Sequence, residues 1–116
     1  MTDVAPEFRI TISGQITPED VEKLAKMGVK TLINNRPDGE AADQPTSSQI
    51  EAAAHAHGIA YKQIAFSGGM LDMNHVEDFA DFFNSTERPL HIFCRTGNRS
   101  STILAAARER DLLDED

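Results

Sequence analysis

One cysteine, one tyrosine and no tryptophan occur in 116 residues. The lone Cys94 excludes an internal disulfide framework, a CxxC redox pair and a four-thiolate zinc site. It suits a reducing compartment, so a cytoplasmic protein is expected. Basic residues are scarce as well: Lys plus Arg number 11 against 19 Asp plus Glu, a net charge of −8. A polyanion of that size repels nucleic-acid phosphates, and no nucleic-acid partner is expected. No apolar run approaches the roughly 18 residues of a membrane span. The opening MTDVAPEFRI lacks the basic region and apolar stretch of a secretory leader. No repeat, low-complexity tract or linker divides the chain. Its length suits one domain over residues 1–116. The acidic tail, about 111–116, reads as a frayed, solvated end.

What is present alternates regularly. Phe8 to Ile12 is β-branched and reads as a strand ended by Gly14. Thr17-Pro18-Glu19-Asp20 opens a helix: a hydroxyl cap, a proline, then acids in the first turn. Val21, Leu24 and Ala25 are its buried stripe and Gly28 closes it. Val29 to Asn34 is the next strand, stopped by Arg36-Pro37-Asp38-Gly39. A second helix is predicted from about Thr46 to His57, capped by Ser47 or Ser48, with Ala52 to Ala54 allowing close packing on a sheet. Ile59 to Phe66 is the third strand, and Ser67-Gly68-Gly69 after it must be irregular. Asn74 is expected to cap a third helix whose Val76, Phe79, Phe82 and Phe83 pack in the core. Leu90 to Phe93 is a short strand of the kind buried on both faces. A final helix, about Asn98 to Leu112, turns Ile103, Leu104 and Ala107 inward. Alternation of this kind predicts an α/β fold with a mainly parallel sheet flanked by helices, its ligands outside the carboxyl ends of the strands.

Cys94 sits at one of those ends. In Cys94-Arg95-Thr96-Gly97-Asn98-Arg99-Ser100, Gly97 permits a tight turn and the helix starts at once. The amides of residues 95 to 99 then lack intrahelical partners and can point inward as an anion cradle. A thiol there feels the positive helix end and, if Arg99 folds over it, a guanidinium; both favour thiolate. A buried structural cysteine would need neither the arginines nor the glycine and serines around it.

That string resembles the active loop of rhodanese sulfurtransferases and the phosphate loop of protein tyrosine and dual-specificity phosphatases. With LINNRPDGE (Leu32 to Glu40), HGIAYKQI (His57 to Ile64) and LHIFCRTGNRS, nearly the whole chain is similar to the beta-lactamase-hydrolase-like phosphatase family. The resemblance implies a tyrosine-phosphatase-like fold with a four- or five-stranded sheet. Such domains occur alone or fused to persulfide dioxygenases and are also described as sulfurtransferases.

Three departures from the phosphatase pattern favour sulfur chemistry. Four residues, not five, separate Cys94 from Arg99, as in the rhodanese loop. Phe93 replaces the usual histidine before the cysteine, and His91 faces away from Cys94 by strand alternation, so it reads as structural or surface. The loop Phe66-Ser67-Gly68-Gly69-Met70 holds no carboxylate to protonate a leaving oxygen, and Asp72 reads as a helix-start residue. Sulfane-sulfur transfer needs no such acid.

The expectation is therefore a sulfurtransferase. Cys94 takes sulfur from thiosulfate or a small persulfide and passes it to a thiol or cyanide, with a persulfide dioxygenase as a candidate partner. Arg99 and the loop (Arg95, Thr96, Gly97, Asn98, Ser100) hold the anion, with Arg95 at the rim. Arg36 is a further anion contact, Asp38 or Glu40 orients an arginine, and Gly68 and Gly69 let substrate approach. The alternative is a phosphatase acting through a Cys94 phosphocysteine, with Arg99 as clamp and Ser100 easing release. A third reading is a non-catalytic anion-binding or redox-sensing module. No cofactor and no metal are expected, because His55, His57 and His75 lack ligand spacing and read as surface residues.

Overall fold

The computed structural model describes residues 9–115. Eight elements alternate: β1 (Ile10–Ser13), α1 (Pro18–Lys26), β2 (Thr31–Asn34), α2 (Ser47–Ala56), β3 (Ala60–Gln63), α3 (Met73–Ser85), β4 (Leu90–Phe93) and α4 (Asn98–Glu109). The four strands form one parallel sheet in the order β1-β4-β2-β3. β2 and β4 are the inner strands and every residue in them is buried, which is why both read as apolar runs. Side-chain alternation splits the core into two layers. Ile33, Leu90 and Ile92 pack against Phe79 and Phe83 of α3 and Ile103 and Ala107 of α4. Leu32 and Phe93 pack on the other face against Val21 of α1 and Ile50 and Ala54 of α2.

Three helix starts carry reciprocal capping boxes. Thr17 caps α1 as the sequence suggests, with Asp20 returning a bond to the Thr17 amide. Two caps differ from expectation. α2 is capped by Thr46, because Gln49 stands three residues on and bonds back to the Thr46 amide at 2.9 Å; Ser47 and Ser48 lie inside the helix. α3 is capped by Asp72, not Asn74: its Oδ1 accepts the His75 amide at 3.2 Å and His75 Nδ1 accepts the Asp72 amide at 3.1 Å. β3 is shorter than the predicted Ile59 to Phe66, and Phe8 lies outside the described residues.

The tail corrects a further expectation. Residues 111–115 dock because the two leucines between the acids, Leu112 and Leu113, pack against the core. Asn84 donates to the Leu112 carbonyl at 2.9 Å, Arg88 to the Asp114 carbonyl at 2.7 Å, and Arg108 pairs with Glu115 at 2.8 Å.

His91 is structural. It is buried on β4, with Ser13 Oγ 2.8 Å from Nε2 and Thr11 Oγ1 2.7 Å from Nδ1. Ser13 donates its one hydroxyl proton to the Gly14 carbonyl, so Nε2–H donates to Ser13 and Nδ1 accepts from Thr11. The neutral ring thereby ties edge strand β1 to β4. Burial lowers its pKa from 6.5 to about 4. Between those values the unfolded chain binds the extra proton, so stability falls as pH drops from about 6.5 to about 4, by ~3 kcal/mol in all. Thermal unfolding of His91→Gln should therefore lose less on going from pH 7 to pH 4.5 than the parent does. Equal losses would remove His91 as the cause.

Candidate active site

β4 ends at Phe93 and delivers Cys94, which is fully buried, to the carboxyl rim of the sheet. Gly97 is the N-cap of α4, at φ 95° and with no side-chain cap, a left-handed conformation that suits glycine. Its amide donates to Cys94 Sγ at 3.0 Å. Burial pushes the thiol up. The amides of Ser100 and Thr96, the Ser100 hydroxyl and the Gly97 amide outweigh it and hold Cys94 below its ordinary value. The cradle is narrower than the sequence suggests, since the Asn98 amide is engaged by Thr96 Oγ1 at 3.3 Å. The Arg95 carbonyl is turned outward, where the Gln15 amide holds it at 3.2 Å. A Cβ on Gly14 would lie 2.8 Å from that oxygen, so the β1–α1 connection needs glycine to brace the loop this closely.

Arg99 stands beside the sulfur with one edge already occupied. Its Nη1 and Nη2 donate to the two Glu40 oxygens, each at 2.8 Å, and Nη1 also donates to the Phe66 carbonyl at 3.1 Å. Those bonds use three of the five guanidinium hydrogens. Nε–H and the second Nη2 hydrogen, a parallel pair along the other edge, take part in none of them. Glu40 raises the Arg99 pKa against the effect of burial, and the neighbouring Cys94 raises it further. Glu40 is itself pinned from both sides, because Arg36 Nε donates to its Oε1 at 2.9 Å. Hydrogen bonds from Arg99 hold Glu40 down at about 2 against burial, with Arg36 adding to the effect.

The residues singled out in the sequence are thus placed differently. Cys94, Thr96, Gly97, Arg99 and Ser100 converge at the sulfur. Arg95, Thr96, Asn98, Gly68 and Glu40, together with Arg99, line an open mouth of about 670 Å³. Arg36 is 4% exposed and directs its guanidinium to Glu40 and to Gln15 Oε1 (2.9 Å), so it is placed behind the mouth. Asp38 accepts the Ser47 amide at 2.8 Å at the start of α2, leaving Glu40 as the carboxylate on the arginines. Gly69, at φ 77°, makes the turn in which the Met70 amide reaches the Ser67 carbonyl. Among the described residues no cluster of His, Cys, Asp or Glu is arranged to hold a metal, and no helix is long and apolar enough to cross a membrane.

Two site residues escape a reading of the sequence. Asn35 is fully buried: its amide reaches the Phe93 carbonyl, its Nδ2 the Ile64 carbonyl, and its Oδ1 accepts Ser100 Oγ at 2.9 Å. It therefore fixes Ser100, whose single proton serves either Asn35 or the sulfur. The signal available was an Asn-Asn pair closing a buried strand. Gln15 links Arg36 to the cysteine loop and carries no local signal.

Comparison with known proteins agrees with this architecture. Residues 2–110 match the family described as beta-lactamase hydrolase-like protein, phosphatase-like domain. A beta-lactamase hydrolase-like protein of Agrobacterium fabrum is 34% identical over 103 residues, 89% of this chain and 24% of that one. The chain thus spans about a quarter of the length of the curated relatives it matches. A candidate phosphatase from Neisseria meningitidis is similar in structure, with a TM-score of 0.82, 30% identity, and coverage of 93% of this chain and 77% of that one. The core catalytic domain of a PP-IP phosphatase from S. cerevisiae shares the fold, with a TM-score of 0.66 at 17% identity, over 94% of this chain and 64% of that one. The fold is thus tyrosine-phosphatase-like.

Proposed function

The chain belongs to the phosphatase-like domain family of beta-lactamase hydrolase-like proteins, and from that premise we propose that it is a cysteine-dependent phosphatase. This replaces sulfur transfer as the leading reading. The observation that carries it is the buried Cys94 sulfur accepting the Gly97 amide at 3.0 Å at the start of α4, where the N-cap makes no side-chain bond. A thiolate so held is a nucleophile facing a ring of donors. Cys94 attacks phosphorus and becomes a phosphocysteine. The Nε/Nη2 edge of Arg99 suits two equatorial oxygens of the transferring group. As water attacks phosphorus and the S–P bond breaks, the Ser100 hydroxyl donates a hydrogen bond to the departing Cys94 thiolate.

Sulfane-sulfur transfer is kept as the second reading, because the four-residue spacing from Cys94 to Arg99 and the carboxylate-free loop 66–70 favour it. One pair of measurements separates the two. Release of phosphate from 4-nitrophenyl phosphate should depend on Cys94, and incubation with thiosulfate should leave the intact mass unchanged. A stable one-sulfur adduct without phosphate release would reverse the assignment.

A further inference from the structure

Resting on the phosphatase reading, we infer that the substrates are phosphoryl compounds whose leaving group departs as a stable anion, phosphoanhydrides and aryl phosphates, rather than alkyl esters such as phosphoserine. The reason is where the carboxyl groups are held. Glu40, the one carboxylate at the mouth among the described residues, accepts from Arg36 through Oε1 and from Arg99 through both oxygens. With two guanidinium groups on it, it stays ionised and has no proton to give at neutral pH. Asp38 is engaged at the start of α2 by the Ser47 amide. Asp72 is engaged at the start of α3 by the His75 amide. His75, tilted against Phe66 with ring centroids 5.4 Å apart, directs Nδ1 to the Asp72 amide and does not line the mouth. The segment facing the cysteine loop, Phe66-Ser67-Gly68-Gly69-Met70, offers only a hydroxyl.

The first step then balances without an acid. The Cys94 sulfur forms a bond to phosphorus as the bond from phosphorus to the leaving oxygen breaks, and the electron pair departs with that oxygen unprotonated. Water next attacks phosphorus, the S–P bond breaks, the thiolate is restored, and the proton of the water leaves with phosphate or solvent. An alkoxide departing this way is too basic to form at a useful rate, whereas a phenolate or a phosphate is not. Exposed Arg95 lines the mouth and places a positive charge there, which favours an anionic leaving group.

The test is kcat/KM, which reports phosphocysteine formation, for substituted phenyl phosphates whose phenol pKa runs from about 5 to about 10. Inorganic pyrophosphate and phosphoserine complete the series, and each substrate is run with the parent and with Cys94→Ser. The expected result is a fall of roughly a thousandfold across the phenols, measurable pyrophosphate cleavage and no detectable phosphoserine cleavage. A flat series, or phosphoserine within tenfold of the phenyl esters, lost in Cys94→Ser, overturns the inference and leaves the phosphatase reading standing. No Cys94-dependent phosphate release from any member overturns both.

Discussion

Cys94→Ser should lower hydrolysis of an aryl phosphate by roughly ten-thousand-fold or more while leaving oxyanion binding in place. The loop amides belong to the backbone, and the bond from Gly97 at 3.0 Å is to a side chain that serine nearly matches in shape. What serine lacks is ionisation. The donors that hold the Cys94 thiol below its ordinary value against burial cannot bring an alcohol into the same range. Binding of a non-hydrolysable oxyanion, followed by calorimetry, should therefore change little as turnover disappears. Loss of binding along with turnover would mean that the substitution has collapsed the loop.

Arg99→Lys should cost about a thousandfold in kcat, with a smaller change in KM. The two residues carry the same charge but not the same geometry. Arg99 uses its Nη1/Nη2 edge on Glu40, which leaves the Nε/Nη2 edge for an oxyanion beside Cys94 in the proposed mechanism. A lysine ammonium cannot serve both sides in fixed directions. Glu40→Gln tests the same device from behind: the fork loses its charged anchor, and a fall of about ten- to a hundredfold in kcat is expected. Steady-state kinetics on the two variants checks both. An Arg99→Lys enzyme within tenfold of the parent would remove the clamp from the mechanism.

Most of this fold is legible in the sequence because its local rules agree. Thr17-Pro18 starts α1, two alternating stretches and two apolar ones make four parallel strands, and Gly97 marks the turn from β4 to α4. The misreadings come where local signals compete. Three consecutive hydroxyl residues, Thr46 to Ser48, are all cap formers, and only the partner at Gln49 selects the first. Asp72 and Asn74 are likewise both cap formers, and His75 decides between them. The cysteine loop is legible for the same reason as the helices: its residues are contiguous. The supporting contacts are not. Ser100 meets Asn35 across 65 residues, and Arg99 meets Glu40 across 59. Arg36 carries the same charge as Arg99, yet burial behind Glu40 gives it a different place. Burial and direction at that range are set by the packing of β2 against β4, which no local pattern encodes.

The most direct measurement is an acid quench of a single turnover with an aryl phosphate, followed by digestion and mass analysis of the peptide that carries Cys94. One phosphoryl group is expected on that cysteine, formed before phosphate is released and missing in Cys94→Ser. Phosphate released from the parent with Cys94 unmodified throughout, and at an equal rate from Cys94→Ser, would contradict it.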